Sequence, residues 1–289
     1  MLYRRNASCT LDKDLIKGIE NMKTRTQFAS EPEQHELIEN LKTATKKYVS
    51  QLDKEGIQTI LLNGSIKRGD FCTQHLGGYV DLVVMVKDEK IFNWKKTFGE
   101  AEEEFYIYHC VRKEIDGLKV GFQIEKRPFE TLDYFETLDE NRRWAHLESE
   151  ILYDEDDLFV KELEKINALK RKNLCHYFKG TLNYIESLIS NYKKQKFYGR
   201  DCPQQLHENL NIAIKNAIKC LYYINGQYMA PEDRALYYSF DLEKLPSKYE
   251  KIMEDLYRQE IDSYKDYKRR EFIFKKQILD FIYKNNFVM

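Results

Sequence analysis

The sequence predicts an α+β chain in which strands and helices interleave in the N-terminal half and helices alone fill the C-terminal half. Three observations carry that expectation. The apolar runs at 57–62 and about 80–86 are short enough to be strands and are separated by a Gly-Ser turn. Asp116-Gly117 lies between runs at 105–112 and 118–125 and is a two-residue hairpin signal. From about residue 158 the strand signals stop, and helical periods run on to Met289. The division expected is an N-terminal extension over 1–30, an α/β unit over 31–157 and a helical bundle over 158–289. A chain of 289 residues is long enough for one large or two moderate domains.

Each element has its own signal. Leu37, Leu41, Ala44, Tyr48 and Leu52 recur at three- and four-residue steps, which predicts a helix over 31–55 with Gly56 as its stop. The first strand leads into Gly64-Ser65, with Gly69 four residues beyond the serine, and the second strand is entered through Asp81. A polar, partly helical stretch covers 88–104. After the hairpin, helix is expected from Pro128 to about Glu148, then a short strand at Ile151-Leu152-Tyr153-Asp154. Pro203, Pro231 and Pro246 punctuate the helical half at helix starts or turns.

Composition narrows the function classes. With 47 basic and 48 acidic residues the net charge is -1, so no global basic field invites a nucleic-acid polymer. Charged residues at 33% and aromatics at 13% suit a soluble, well-packed protein. No run approaches the ~20 apolar residues that span a bilayer. Arg4-Arg5 is not followed by the continuous apolar segment of a secretory signal. The six cysteines include no Cys-x-x-Cys pair. They read as reduced thiols of a cytoplasmic protein without a zinc site.

The strand–turn–strand segment carries the chemistry. A glycine directly after a strand lets the backbone turn sharply and approach a ligand closely. The segment that follows can open a helix, whose free N–H groups favour an anion. Ser65 adds a hydroxyl donor, and Lys67 and Arg68 add positive charge. A carboxylate on the next strand can hold Mg²⁺ against phosphate oxygens.

Gly64-Ser65-x-x-x-Gly69 followed by a strand opening at Tyr79-x-Asp81 resembles the signature of the nucleotidyltransferase superfamily related to DNA polymerase β. In that family the turn reads Gly-Ser-x-x-x-Gly and the next strand opens Asp-x-Asp. Gly64, Ser65, Gly69 and Asp81 fit, and the first aspartate falls on Tyr79. The segment from Ala217 through Asn225-Gly226 and Tyr228 to Leu245-Pro246 looks like the helical domain of aminoglycoside adenylyltransferase-like two-domain proteins.

The resemblance implies a mixed sheet in a nucleotidyltransferase-like domain over 31–157. It implies ATP or another nucleoside triphosphate as substrate, with Gly64, Ser65, Lys67, Arg68 and Gly69 around the phosphates. Mg²⁺, as a single ion, would sit on Asp81 with Glu125, and these two are the catalytic candidates. The implied reaction moves a nucleoside monophosphate, AMP from ATP, to a hydroxyl of a small-molecule acceptor.

The third carboxylate of the family is expected on the strand from Lys119 to Glu125. Alternation there groups Gly121, Gln123 and Glu125 on one face, and only Glu125 is acidic. Tyrosine is a poor Mg²⁺ ligand at neutral pH, because its phenol titrates near a pKa of about 10. Asp70 is a substitute ligand or simply a turn residue. His75 is a candidate nucleotide contact. Glu208, Asp201, Glu232, Asp233 and Asp241 are equal candidates for a general base. Two alternatives follow: a catalytically impaired nucleotide-binding or sensing protein, and a toxin–antitoxin-type modifier of a protein or RNA. The second rests on a loose match at Arg171-x₄-His176.

Overall fold

The computed structural model describes residues 24–71, 78–88, 90–105, 108–129 and 140–285. The N-terminal extension up to residue 23, His75, and residues 130–139 of the stretch expected as helix after Pro128 lie outside the described residues. Thr24 opens α1 (Arg25–Ala29) through a capping box with Gln27. α2 (Pro32–Gln51) buries Ile38, Leu41, Ala44, Thr45, Tyr48 and Val49. It ends earlier than the apolar stripe suggests. Leu52 is already extended, at φ -67° and ψ 145°, and Gly56 at φ +78° shapes the turn into the first strand instead of capping the helix.

β1 (Ile57–Leu62) is buried throughout. After it come α3 (Gly64–Arg68), β2 (Val80–Val86), α4 (Trp94–Phe98), β3 (Glu103–Phe105), β4 (Tyr108–Ile115), β5 (Leu118–Pro128), α5 (Glu140–Leu147) and β6 (Glu150–Asp154). The six strands form one mixed sheet in the order β3-β4-β5-β2-β1-β6. β2 and β5 run parallel, and the other neighbouring pairs are antiparallel.

Two strand boundaries correct the sequence expectation. The Asp116-Gly117 turn places both residues at positive φ, +52° and +80°, the geometry of a tight hairpin, so β4 runs on to Ile115 instead of ending at 112. Pro128 closes β5 against Val86 and starts no helix.

Past β6 a 3₁₀ turn, Glu155–Asp157, leads into helices: α6 (Leu158–Leu188), α7 (Asn191–Tyr198), α8 (Pro203–Ile224), α9 (Ala235–Ser239), α10 (Tyr249–Tyr257), α11 (Tyr264–Ile273), and, after a π-helical turn at Phe274–Leu279, α12 (Asp280–Lys284). Pro203 sits at the first helical position of α8, where its missing N–H costs nothing. Among the described residues no helix is long and apolar enough to cross a membrane.

The sheet is buried on both faces, and strand alternation assigns each residue to one of them. Ile60, Leu62, Val80, Leu82, Val84, Phe122 and Ile124 pack with the apolar stripe of α2. Leu61, Val83 and Met85 join Trp144 and the C-terminal helices in a second core. Side chains of this kind contribute roughly 1.5–3 kcal/mol each when fully buried. Asp81, the one polar residue of β2, has the parity of Val83 and Met85. The fold thereby points a carboxylate toward the helical half.

Candidate active site

The Gly-Ser turn is stitched to β2. The Asn63 amide N–H donates to the Asp81 carbonyl at 2.9 Å, and the Asn63 side-chain oxygen accepts from the Gly64 N–H at 2.8 Å. Gly64 adopts φ +69°. A β-carbon at this position would lie 1.7 Å from Asp81 Oδ2 and 2.6 Å from its Cγ. Only glycine fits: the carboxylate of Asp81 lies against the bare backbone of residue 64.

A cleft of about 290 Å³ opens at this point. Gly64, Arg68, Asp81, Gln123 and Glu125 line its sheet side, and Trp144 and Arg234 line the side toward the helices. The parallel register explains the grouping. Asp81 lies opposite Gln123 and Val83 opposite Glu125, all with one parity.

The other turn residues serve elsewhere. Ser65 contributes its carbonyl, which accepts from the N–H groups of Gly69 and Asp70. Gly69 ends α3 at φ +84°, and a β-carbon on it would come 2.7 Å from the Ala29 methyl of α1. Lys67 is half-buried on α3 and outside the cleft lining. Of the five phosphate-side residues expected, Gly64 and Arg68 reach the cleft.

Arg68 is held on every side. Its Nε donates to the Tyr238 hydroxyl at 2.7 Å, and that hydroxyl donates in turn to Asp70 Oδ2. Its guanidinium lies 5.4 Å from the Trp144 ring centre and 5.6 Å from that of Tyr238. Such cation–π contacts strengthen when water is excluded, and the Arg68 side chain is only 4% exposed. Asp70 is therefore an anchor for Tyr238 and lies outside the cleft lining. Arg234 is the second cation of the cleft and pairs with Asp233 at 2.8 Å.

The acidic side is less well furnished. Burial pushes the Asp81 carboxyl up to about 6, against the opposing pull of Arg68 and Arg234, and Glu125 adds to the rise. Glu125 itself is tied to Arg127 Nε at 2.6 Å. Tyr79 stands one step before β2, with its ring against Gly121. A β-carbon at 121 would lie 2.8 Å from Tyr79 Cδ1, and Arg112 stacks on the ring at 5.9 Å. The tyrosine ring thus occupies the space over Gly121, while Gln123, opposite Asp81, lines the cleft without a charge. Among the described residues no group of three or more His, Cys, Asp and Glu side chains is placed to hold a metal ion. Two carboxylates suit one Mg²⁺ whose remaining ligands are phosphate oxygens and water, and do not suit two ions.

Most of the general-base candidates are placed away from this cleft. Glu208 is exposed on α8, and Asp241 accepts from Arg25 and from the Thr26 N–H of α1. Arg171 and His176 are exposed on α6. The contributors that sequence reasoning missed are Trp144, Arg234, Tyr108 and Tyr238. Nothing in their local sequence marks them, because they reach the cleft or its arginine only through tertiary packing.

No family model matches the chain, and no curated protein matches it. Among solved structures it is similar to a nucleotidyltransferase-like protein from Exiguobacterium sibiricum 255-15. The TM-score is 0.37 and the identity 12%, over 86% of this chain and 75% of that one. At that distance the likeness carries no argument about the cleft, whose chemistry has to be read from its own residues.

Proposed function

We propose that this chain is a nucleotidyltransferase-type protein that takes a nucleoside triphosphate into the cleft between Gly64, Asp81 and Arg234. The observation that supports it is the packing of the Asp81 carboxylate on the bare backbone of Gly64, with Arg68 and Arg234 on the same cleft. Two guanidinium groups match phosphate oxygens in geometry and charge. Arg68 arrives already oriented by Tyr238 and Trp144, so little rotamer freedom is lost on binding. Asp81 and Glu125 would hold one Mg²⁺, which would neutralise phosphate charge when bound. The transfer proposed joins an acceptor hydroxyl oxygen to the α-phosphorus and releases pyrophosphate, with ATP as donor and a small molecule as acceptor. Helix α5, which carries Trp144, and the turn before α9, which carries Arg234, wall the cleft and choose that acceptor.

A second reading has its own observation. Tyr79 seated on Gly121 removes two acidic positions at once, which fits a protein that binds a nucleotide and does not transfer it. Calorimetry and product analysis with each nucleoside triphosphate, with and without Mg²⁺, separate the two. Binding with release of pyrophosphate supports transfer, and binding with intact triphosphate supports sensing. No binding of any triphosphate defeats both.

A further inference from the structure

Helix α1 lies in the stretch that the sequence sets apart as an N-terminal extension, yet it meets the surroundings of Arg68 at two points. Its first residue, Arg25, holds its guanidinium 5.2 Å from the ring centre of Tyr238, whose hydroxyl accepts from Arg68 Nε. Its last residue, Ala29, lies against Gly69, where a β-carbon would come 2.7 Å from the Ala29 methyl. Gly69 follows Arg68 directly and ends α3. One short helix therefore bears on the backbone next to Arg68 and on the tyrosine that holds its side chain.

Arg25 is anchored from the helical half. Its Nε lies 3.5 Å from Asp241 Oδ2, and the Thr26 N–H donates to the same oxygen at 3.2 Å. Asp241 stands just past α9, the helix that carries Tyr238, so anchor and ring come from one stretch of chain. Two guanidinium groups beside one ring would repel each other. Asp241 offsets the charge of Arg25, and Asp70, 3.8 Å from Arg68 Nε, offsets that of Arg68.

The Tyr238 hydroxyl is the link between the two arginines. Burial pushes its phenol up to about 12, so at neutral pH it keeps the proton that it donates to Asp70. Its remaining lone pairs face Arg68 Nε. With Nε taken, the two Nη groups are the part of Arg68 left for a ligand, and neither makes a hydrogen bond among the described residues. The donors of a guanidinium lie in one rigid plane, so the bond at Nε sets the direction of both Nη groups. A tilt of the Tyr238 ring is then a tilt of the Arg68 fork.

We infer that Arg25, outside the cleft lining, is a positioning residue of the nucleotide cleft: it seats the Tyr238 ring from α1 and, through the Tyr238 hydroxyl, aims Arg68 at the triphosphate. The inference rests on the nucleotide reading above.

Isothermal titration of Mg²⁺–ATP into the full chain tests it, with wild type, Arg25→Gln, Tyr238→Phe and the double variant forming a cycle. Arg25→Gln keeps most of the side-chain length and removes the cation, and should weaken ATP by about three- to tenfold. Tyr238→Phe keeps the ring and removes the hydroxyl, and should weaken ATP by about tenfold. The double variant should fall no more than about twofold below Tyr238→Phe, because the path from Arg25 to Arg68 is already cut. A merely structural Arg25 would carry its full loss of affinity into the Tyr238→Phe background. Losses that multiply, or wild-type affinity in Arg25→Gln, overturn the inference. Should Arg25→Gln fail to fold, Asp241→Asn releases the same side chain and takes its place in the cycle with the same expectation. Failure of ATP to bind the wild type would defeat the nucleotide reading and this inference together, whereas full affinity in the Arg25 variant defeats this one alone.

Discussion

Asp81 and Gly64 behave as one unit, and each predicts something about the other. The ordinary carboxyl value is 3.8 and the folded one about 6, so the native state binds the extra proton between those limits. Stability contributed by that proton is present near pH 4 and lost as pH rises through 6. Above pH 6, in metal-free buffer, ionised Asp81 should therefore cost about 1–3 kcal/mol. Asp81→Asn is expected to raise the urea midpoint at pH 7.5, with the gain shrinking toward pH 4. An unchanged or lowered midpoint at pH 7.5 would contradict the burial argument. Gly64→Ala should destabilise by more than the ~1–2 kcal/mol of a left-handed backbone, because its methyl meets the carboxylate. Pairing it with Asp81→Ala should recover part of the loss, and strict additivity in a double-mutant cycle would refute the contact. Gly64, Arg68, Asp81 and Glu125 were legible in the sequence because they lie on one motif and one strand parity. Arg234 and Trp144 were not: Arg234 is brought to the cleft by the docking of the helical half, and Trp144 by the packing of α5 on the sheet.

At the scale of elements, the helical half is joined through an unusual buried cation. Arg270 of α11 is fully buried. It donates to the Leu256 carbonyl at 2.7 Å, to Asn211 Oδ1 at 2.6 Å, to Gln259 Oε1 at 3.0 Å and to His207 Nδ1 at 2.7 Å. One side chain thereby links α8, α10 and α11. His207 must keep Nδ1 free of a proton to accept this bond, which leaves Nε2–H to donate to the Ser263 carbonyl at 3.1 Å. Burial lowers its affinity for a proton, with Arg270 and Arg269 adding to that, while the Ser263 carbonyl and Asp266 oppose it. The unfolded chain takes up this proton below about pH 6.5 and the folded chain resists it, so stability falls as pH drops through that value. His207→Gln can keep both bonds and should flatten the pH dependence of the urea midpoint between 7.5 and 5. A slope identical to wild type would sink the assignment. Arg270→Lys should cost about 3 kcal/mol or more despite retaining the charge, because an ammonium cannot serve four acceptors in a plane. This network had no sequence signal: His207 and Arg270 read as ordinary positions on amphipathic helices. The helix α2, the strands β1 and β2, and the hairpin turn did, because their periods and turn residues are local.

For the molecule as a whole, the two-sided burial of the sheet ties the halves together. Leu61, Val83 and Met85 belong to the core that the later helices complete. The sequence expectation of interleaved strands and helices followed by helices alone agrees with the order of elements among the described residues. It carries no information on which sheet face the helices cover, since that depends on contacts between residues far apart in the chain. A fragment ending at Asp157 should therefore fold poorly by itself. It is expected to bind a hydrophobic dye and to aggregate, and a monomeric fragment with a cooperative thermal transition would show that the sheet needs no cover. The same arrangement bears on synthesis. A ribosome delivers the sheet residues well before α8, so for that interval the Asp81 face stands uncovered, with Leu61, Val83 and Met85 exposed beside the carboxylates of Asp81 and Glu125. Asp81, which burial makes costly to ionise in the finished protein, then faces water and interrupts the apolar run of β2 while the strand waits for its helices.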